Sequence, residues 1–246
     1  MRIIEVCCGN LRDAMEAQAG GAKRIELCSA LEVGGLTPSF GLIRAVKEFC
    51  KGVEINVIIR PRPGDFAYSG DEITQMIYDI TQCRRAGVHG VVIGALTPEG
   101  DVNVQVTTLL HHYATFTEPS LPHKLSVTFH RAFDVCRDPA AAIEDIVTIG
   151  CHRILTSGQR ENALAGAENI AQYVKQAAGR IIIMPGCGVN PTNIAEIERV
   201  TGATEFHSTA RGEACVTEVY ANPHIDFGEN RPQPATSREV VARLVN

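Results

Sequence analysis

The stretch RIELCSALEVGG, Arg24 to Gly35, sets a carboxylate at Glu26 and a thiol at Cys28 two residues apart. In an extended strand such positions share one face. The N-terminal IIEVCC repeats the pattern with Glu5 and Cys7. Thiols placed this way can hold a soft metal ion, serve an enzyme site, or fill a core as small hydrophobes. Other residues widen the chemistry. Arg60 and Arg62 in IRPRPGDFAYSG are forked donors suited to a carboxylate or phosphate. His130 and Asp134 in HRAFD lie four residues apart, so the carboxylate can orient the imidazole only if the loop folds back. Ser157 in LTSG offers a hydroxyl. Gly186 and Gly188 in PGCG lead toward a helix start, where backbone N–H groups can cradle phosphate, although a tight turn needs glycine anyway. His207 completes the set in EFHSTAR.

These residues must be positioned by regular elements, and a repeat supplies them. GAKRIELC, GVHGVVIG, GCHRILTS and GATEFHST share one grammar: a helix end, glycine, then an apolar β-rich run. Their leading glycines, Gly21, Gly87, Gly150 and Gly202, lie 66, 63 and 52 residues apart, enough for two strand–helix units each. Between them fall IIEVCC, EINVIIR, LSVTFHR and RIIIMPG as further strands. Six helical patterns stand out: LRDAMEAQAG, PSFGLIRAVKEFC, DEITQMIYDITQCRRAG, DPAAAIEDIVTIG, ENALAGAENIAQYVKQAAG and NPTNIAEIERVTG. Asp138 and Asn190, each followed by proline, read as N-caps with proline at the first helical position. Eight strands alternating with helices predict a single TIM-like (β/α)8 barrel over 1–246, with an open doubly wound sheet as the alternative. The last unit is irregular. Residues 209–236 read as a long loop and 237–246 as a closing helix.

Strand alternation tells inside from outside. One face of the repeats (Ile25, Leu27, Val91, Ile93, Ile154, Thr156, Phe206, Ser208) is mostly apolar and should meet the helices. The other carries Arg24, Glu26 and Cys28; Arg153; and Glu205 and His207. Arg24, Arg153 and Glu205 fall lowest and should neutralise one another at the closed bottom. Glu5, Cys7, Glu26, Cys28, Arg60, His130 and His207 fall higher, toward the strand ends where barrels place their sites. Buried charges must be paired or open to ligand, so this cluster is read as a site.

The composition limits the partners. Of 246 residues 45% are apolar and 21% charged, with a formal net charge of −5, a soluble balance without the basic face that nucleic acid requires. No apolar run is long enough to span a bilayer, and MRIIEVCCGN lacks the features of a signal peptide. Nine scattered cysteines are expected to be reduced thiols in the cytoplasm.

EVCCGN, GGAKRIELC, GGLTPS, IRPRPGDFAYS, HRAFD, RILTSG, IIIMPG and GATEFHSTAR, in that order from residue 1 to about 211, closely resemble the CutC family. The resemblance implies a TIM-like barrel in the cytoplasm, a homodimer, and copper binding or trafficking. The proposed copper ligands of the family match Cys7 and Cys28. Where relatives often show three glycines after strand seven, this chain has Gly186-Cys187-Gly188.

Two functions are therefore expected. In one, Cys7 and Cys28, at the ends of neighbouring strands, bind Cu(I), which thiolates favour. In the other, the barrel is an enzyme with lyase- or isomerase-like proton-transfer chemistry on a small anionic metabolite. Glu5 or Glu26 would be the base, His130 (oriented by Asp134) the acid, and Arg60 and Arg62 the anion grip, with Ser157, Gly186, Gly188 and His207 completing the pocket.

Overall fold

The computed structural model describes residues 2–119, 121, 123–214, 224 and 234–246. Eight parallel strands run in the order expected: β1 (Ile3–Cys8), β2 (Arg24–Leu27), β3 (Glu54–Ile58), β4 (Gly90–Ile93), β5 (Ser126–Phe129), β6 (Arg153–Thr156), β7 (Ile182–Pro185) and β8 (Glu205–Ser208). Each of β1 to β6 pairs with the next, and β8 pairs with β1. Sequential pairing that returns to the first strand is a nearly closed barrel and excludes the doubly wound alternative, whose strand order reverses at its centre. Only the β7–β8 seam lacks a ladder.

The helices are α1 (Leu11–Ala19), α2 (Phe40–Phe49), α3 (Gly70–Ala86), α4 (Val104–Thr115), α5 (Pro139–Ile149), α6 (Ala167–Ala177), α7 (Ile194–Thr201) and α8 (Arg238–Val245). Their starts follow from local chemistry. Ser69 and Glu72 form a reciprocal capping box at α3, and Asp138 caps α5 ahead of Pro139, as expected. Gly87, Gly150 and Gly202 end their helices in the left-handed conformation open to glycine.

Four expectations need correction. The helical patterns omitted α4, whose Val104, Val106, Thr107 and Thr108 suggest strand; burial of Thr107, Leu110 and Ala114 overrides that propensity. The segment ENALAG is not helical, and α6 begins only at Ala167. Asn190 does not cap α7 either: its Oδ1 accepts from the Thr192 N–H within a turn, and the helix starts at Ile194. Finally, the ends of the expected 209–236 loop are strands, β9 (Arg211–Ala214) and β10 (Pro234–Thr236), paired antiparallel. Within that loop only residue 224 is described between them. The closing helix is α8, as expected. It packs so tightly on α1 that a Cβ at Gly20 would stand 2.7 Å from the Arg238 carbonyl oxygen.

The main core lies between sheet and helices and includes Ile25, Leu27, Val91, Ile93, Ile154 and Phe206, the face read as outward. A smaller cluster of Cys7, Cys28, Ile58 and Val92, with Leu31 against it, fills the barrel interior. Cys8 points the other way, into the main core. No helix among the described residues is long and apolar enough to cross a membrane.

Candidate metal centre at the barrel mouth

Strand register builds the site in layers. Glu205 anchors the lowest, accepting from Arg24 Nη2 and from Arg153 Nε at 2.7 Å, which is the neutralisation expected at the bottom. Above it, Glu5 lies opposite Arg24 on β2 and opposite His207 on β8. Its Oε2 accepts from Arg24 Nε at 2.6 Å and from Asn56 Nδ2 at 2.9 Å; its Oε1 lies 3.0 Å from His207 Nδ1. Glu5 is completely buried. Burial alone would raise its pKa, but the bonds to His207 and Arg24 and their charges prevail and hold it at about 2.

One layer higher, Cys7 lies opposite Glu26. Cys28 follows β2, its N–H donating to the Cys8 carbonyl at 2.9 Å, and its Sγ comes within 3.6 Å of Cys7 Sγ. The Cys28 thiol, working against burial and aided by His207, lowers Cys7 to about 5. The same contact raises Cys28 well above the ordinary thiol value. Burial and the Cys7 charge push Glu26 up as well, against the pull of His207. His207 is opposed by burial, yet its bonds to Cys7 and Glu5 raise it. Its Nε2 lies 3.6 Å from Glu26 Oε2.

Cys7, Glu26 and His207 can each aim one donor atom into a space where these atoms lie within 4.8 Å of one another. Two ligands on a trigonal or tetrahedral ion with thiolate bonds of about 2.3 Å stand about 3.8–4 Å apart. The Cys7–Cys28 separation needs only a small adjustment to meet that. The imidazole held by a carboxylate through its other nitrogen is the usual support of a metal-binding histidine. The donor set of Cys7, Glu26 and His207 therefore fits a metal ion, and the Cys7 sulfur, with that of Cys28 3.6 Å away, suits a soft one.

Cys7, Glu26, Cys28, Arg60, His130, Gly188 and His207 all face one pocket of about 900 Å³ at the C-terminal end of the strands. The remaining expected residues serve other ends. Glu5 is sealed beneath the pocket. Arg62 is engaged by Asp65 at 3.0 Å and by Glu72, which stiffens its own loop. Asp134 does not orient His130: it accepts from the Ser157 N–H and Oγ, from Thr156 Oγ1 and from Arg131. Ser157 is thereby consumed in loop structure. Gly186 makes room for packing, since its Cβ would lie 2.4 Å from Leu155 Cδ1. Of the two expected bases, Glu5 is committed to Arg24, Asn56 and His207, whereas Glu26 lines the pocket; the carboxylate expected to orient His130 is committed to the Ser157 loop. Sequence reasoning missed Phe66, whose ring centroid lies 5.0 Å from that of His130 and 5.1 Å from Arg60 Cζ; its only signal was an aromatic in a loop that also carries Tyr68.

Fold and pocket together define a (β/α)8 barrel with a thiol, imidazole and carboxylate cluster in its C-terminal mouth. The chain belongs to the CutC family, whose model matches residues 2–212. The CutC family protein of Parabacteroides distasonis is 49% identical over 229 residues, 93% of this chain and 91% of its own. A solved structure, the proposed copper homeostasis protein CutC from Streptococcus agalactiae, is 32% identical with a TM-score of 0.78, covering 85% of this chain and 99% of its own. Phosphoribosylanthranilate isomerase from Thermotoga maritima, 11% identical, aligns over 100% of this chain and 97% of its own with a TM-score of 0.59, a likeness of fold alone.

Proposed function

We propose that this protein acts in copper homeostasis by binding Cu(I) at Cys7 and Cys28, with His207 as the nitrogen donor. The observation that carries this reading is the 3.6 Å approach of the two sulfurs, one of which, that of Cys7, is clustered with an imidazole and a carboxylate. Copper homeostasis is also the proposed role of the Streptococcus agalactiae relative. Soft thiolates select Cu(I); Cys28 and Glu26 are both held above their ordinary values, so each becomes a ligand only as the metal displaces its proton, and the sulfur is the softer donor. A cytoplasmic location and a homodimer belong to the same proposal.

Anaerobic titration with Cu(I) against a competing chelator tests the site. One ion per chain is expected, lost in the Cys7→Ser, Cys28→Ser double variant. Unchanged affinity in that variant, or tighter retention of Zn(II) than of Cu(I) under the same competition, would remove the proposal.

A further inference from the structure

Arg60, two residues beyond the end of β3, is only 6% exposed. A buried guanidinium normally faces a carboxylate, but Arg60 faces none among the described residues. Its Nη1 donates to the carbonyls of Val33 and Gly35 at 2.9 and 3.2 Å, and its Nη2 to that of Gly64 at 2.9 Å. The glycines of LEVGG make this possible: Gly34 has a φ of +90°, and a Cβ there would stand 3.1 Å from Nη1. Carbonyl dipoles hold the cation in place without cancelling its charge. The Nε–H has no acceptor.

His130 is 4% exposed. Its Nδ1 accepts from the Ala132 N–H at 3.1 Å, so the ring proton sits on Nε2. That N–H also has no acceptor. Burial, reinforced by the Arg60 charge, lowers His130 to about 3 and keeps it a neutral donor. Gly94 leaves the ring its space, since a Cβ there would lie 2.4 Å from Nδ1. The Phe66 ring rests against both groups, its centroid 5.0 Å from that of the imidazole and 5.1 Å from Arg60 Cζ. All three side chains line the mouth pocket.

We infer that Arg60 and His130 form an oxyanion subsite for the carboxylate or phosphate of a small metabolite, with Phe66 as its gate. A buried cation without a counterion, beside a neutral donor without an acceptor, is a costly arrangement that an anionic oxygen relieves on both counts. Solvent does not reach either N–H in this state, so the anion enters as the half-buried Phe66 ring moves aside. The subsite shares the pocket with the thiols but uses none of them, and it stands or falls independently of copper.

Calorimetric titration of the full chain with inorganic phosphate and, separately, with malonate tests the inference. Saturable binding of at least one anion is expected. Arg60→Lys, which keeps the charge and removes the fork, and His130→Phe, which keeps a ring and removes the donor, should each weaken it about tenfold to a hundredfold. Phe66→Ala should tighten it. Phosphate binding alone would identify a phosphate ester as the ligand class, malonate binding alone a carboxylate. The inference is overturned if neither anion binds the wild type or the Phe66→Ala variant, whose substitution lies in a partly exposed loop. It is equally overturned if Arg60→Lys and His130→Phe, shown folded by circular dichroism, bind as the wild type does.

Discussion

Glu5 Oε1 lies 3.0 Å from His207 Nδ1, and this contact leaves the Nε2 edge of the imidazole to Glu26 and the donor space beside Cys7. One carboxylate, locked from the other side by Arg24, thus orients the nitrogen donor of the candidate metal centre. Removing it should affect both stability and metal binding.

The stability effect has a definite pH window. Glu5 is held at about 2 in the fold against an ordinary value of 4.5. A depressed carboxyl stabilises the fold above its unfolded pKa, and that contribution disappears as pH falls from about 4.5 through about 2. The difference corresponds to about 3 kcal/mol at neutral pH. Glu5→Gln is therefore expected to be less stable than wild type by that order at pH 7, with the gap narrowing below pH 4.5. Urea unfolding at several pH values checks it, and a gap independent of pH would contradict the assignment.

Cysteine substitutions should separate packing from binding. Cys8 points into the main core, so Cys8→Ser buries a hydroxyl there and should cost about 1–3 kcal/mol without changing Cu(I) affinity. Cys28→Ser should weaken Cu(I) binding and slow alkylation of Cys7 at pH 6, because Cys28 is the leading cause of the low Cys7 pKa. Mass-resolved alkylation rates and Cu(I) competition measure the two effects.

Asp134 tests the assignment of His130 in the opposite sense. Its carboxylate gathers the β6–α6 loop through Ser157, Thr156 and Gln159. Asp134→Ala would leave several donors without an acceptor and is expected to lower stability by about 2–4 kcal/mol. The Nε2 proton of His130 is set by Ala132 rather than by Asp134, so the imidazole NMR signature of that tautomer should survive. Its loss would show that Asp134 acts on His130 after all.

Cys187 adopts a φ of +73°, a left-handed conformation that costs a residue with a Cβ about 1–2 kcal/mol. Its thiol donates only to the Glu161 carbonyl at 3.2 Å. Cys187→Gly, which removes the Cβ from this left-handed position, is expected to raise thermal stability by up to about 1 kcal/mol and to leave Cu(I) binding intact. Thermal melts decide this, and a clear loss of stability would mean that the thiol contact outweighs the strain.

The strands were readable because their chemistry repeats locally. Glycine followed by alternating apolar and polar residues sets both the position of a strand and the face each side chain takes, and so Arg24, Glu26 and Cys28 were assigned inward correctly. Helix α4 was not readable, because Val104, Val106, Thr107 and Thr108 favour strand and only tertiary burial makes them helical. The thiol pair was half legible: RIELC put Cys28 at the strand end, but its 3.6 Å approach to Cys7 depends on the register between two strands. Roles that require loops to fold back were decided by tertiary structure alone. It set Asp134 on Ser157 instead of His130, Arg62 on Glu72 instead of a ligand, and Phe66 against Arg60. Sequence by itself determines which side of a strand a residue faces, because alternation is a property of the chain. Which partner it meets there depends on register, closure and loop path, and these are settled only when the whole barrel packs.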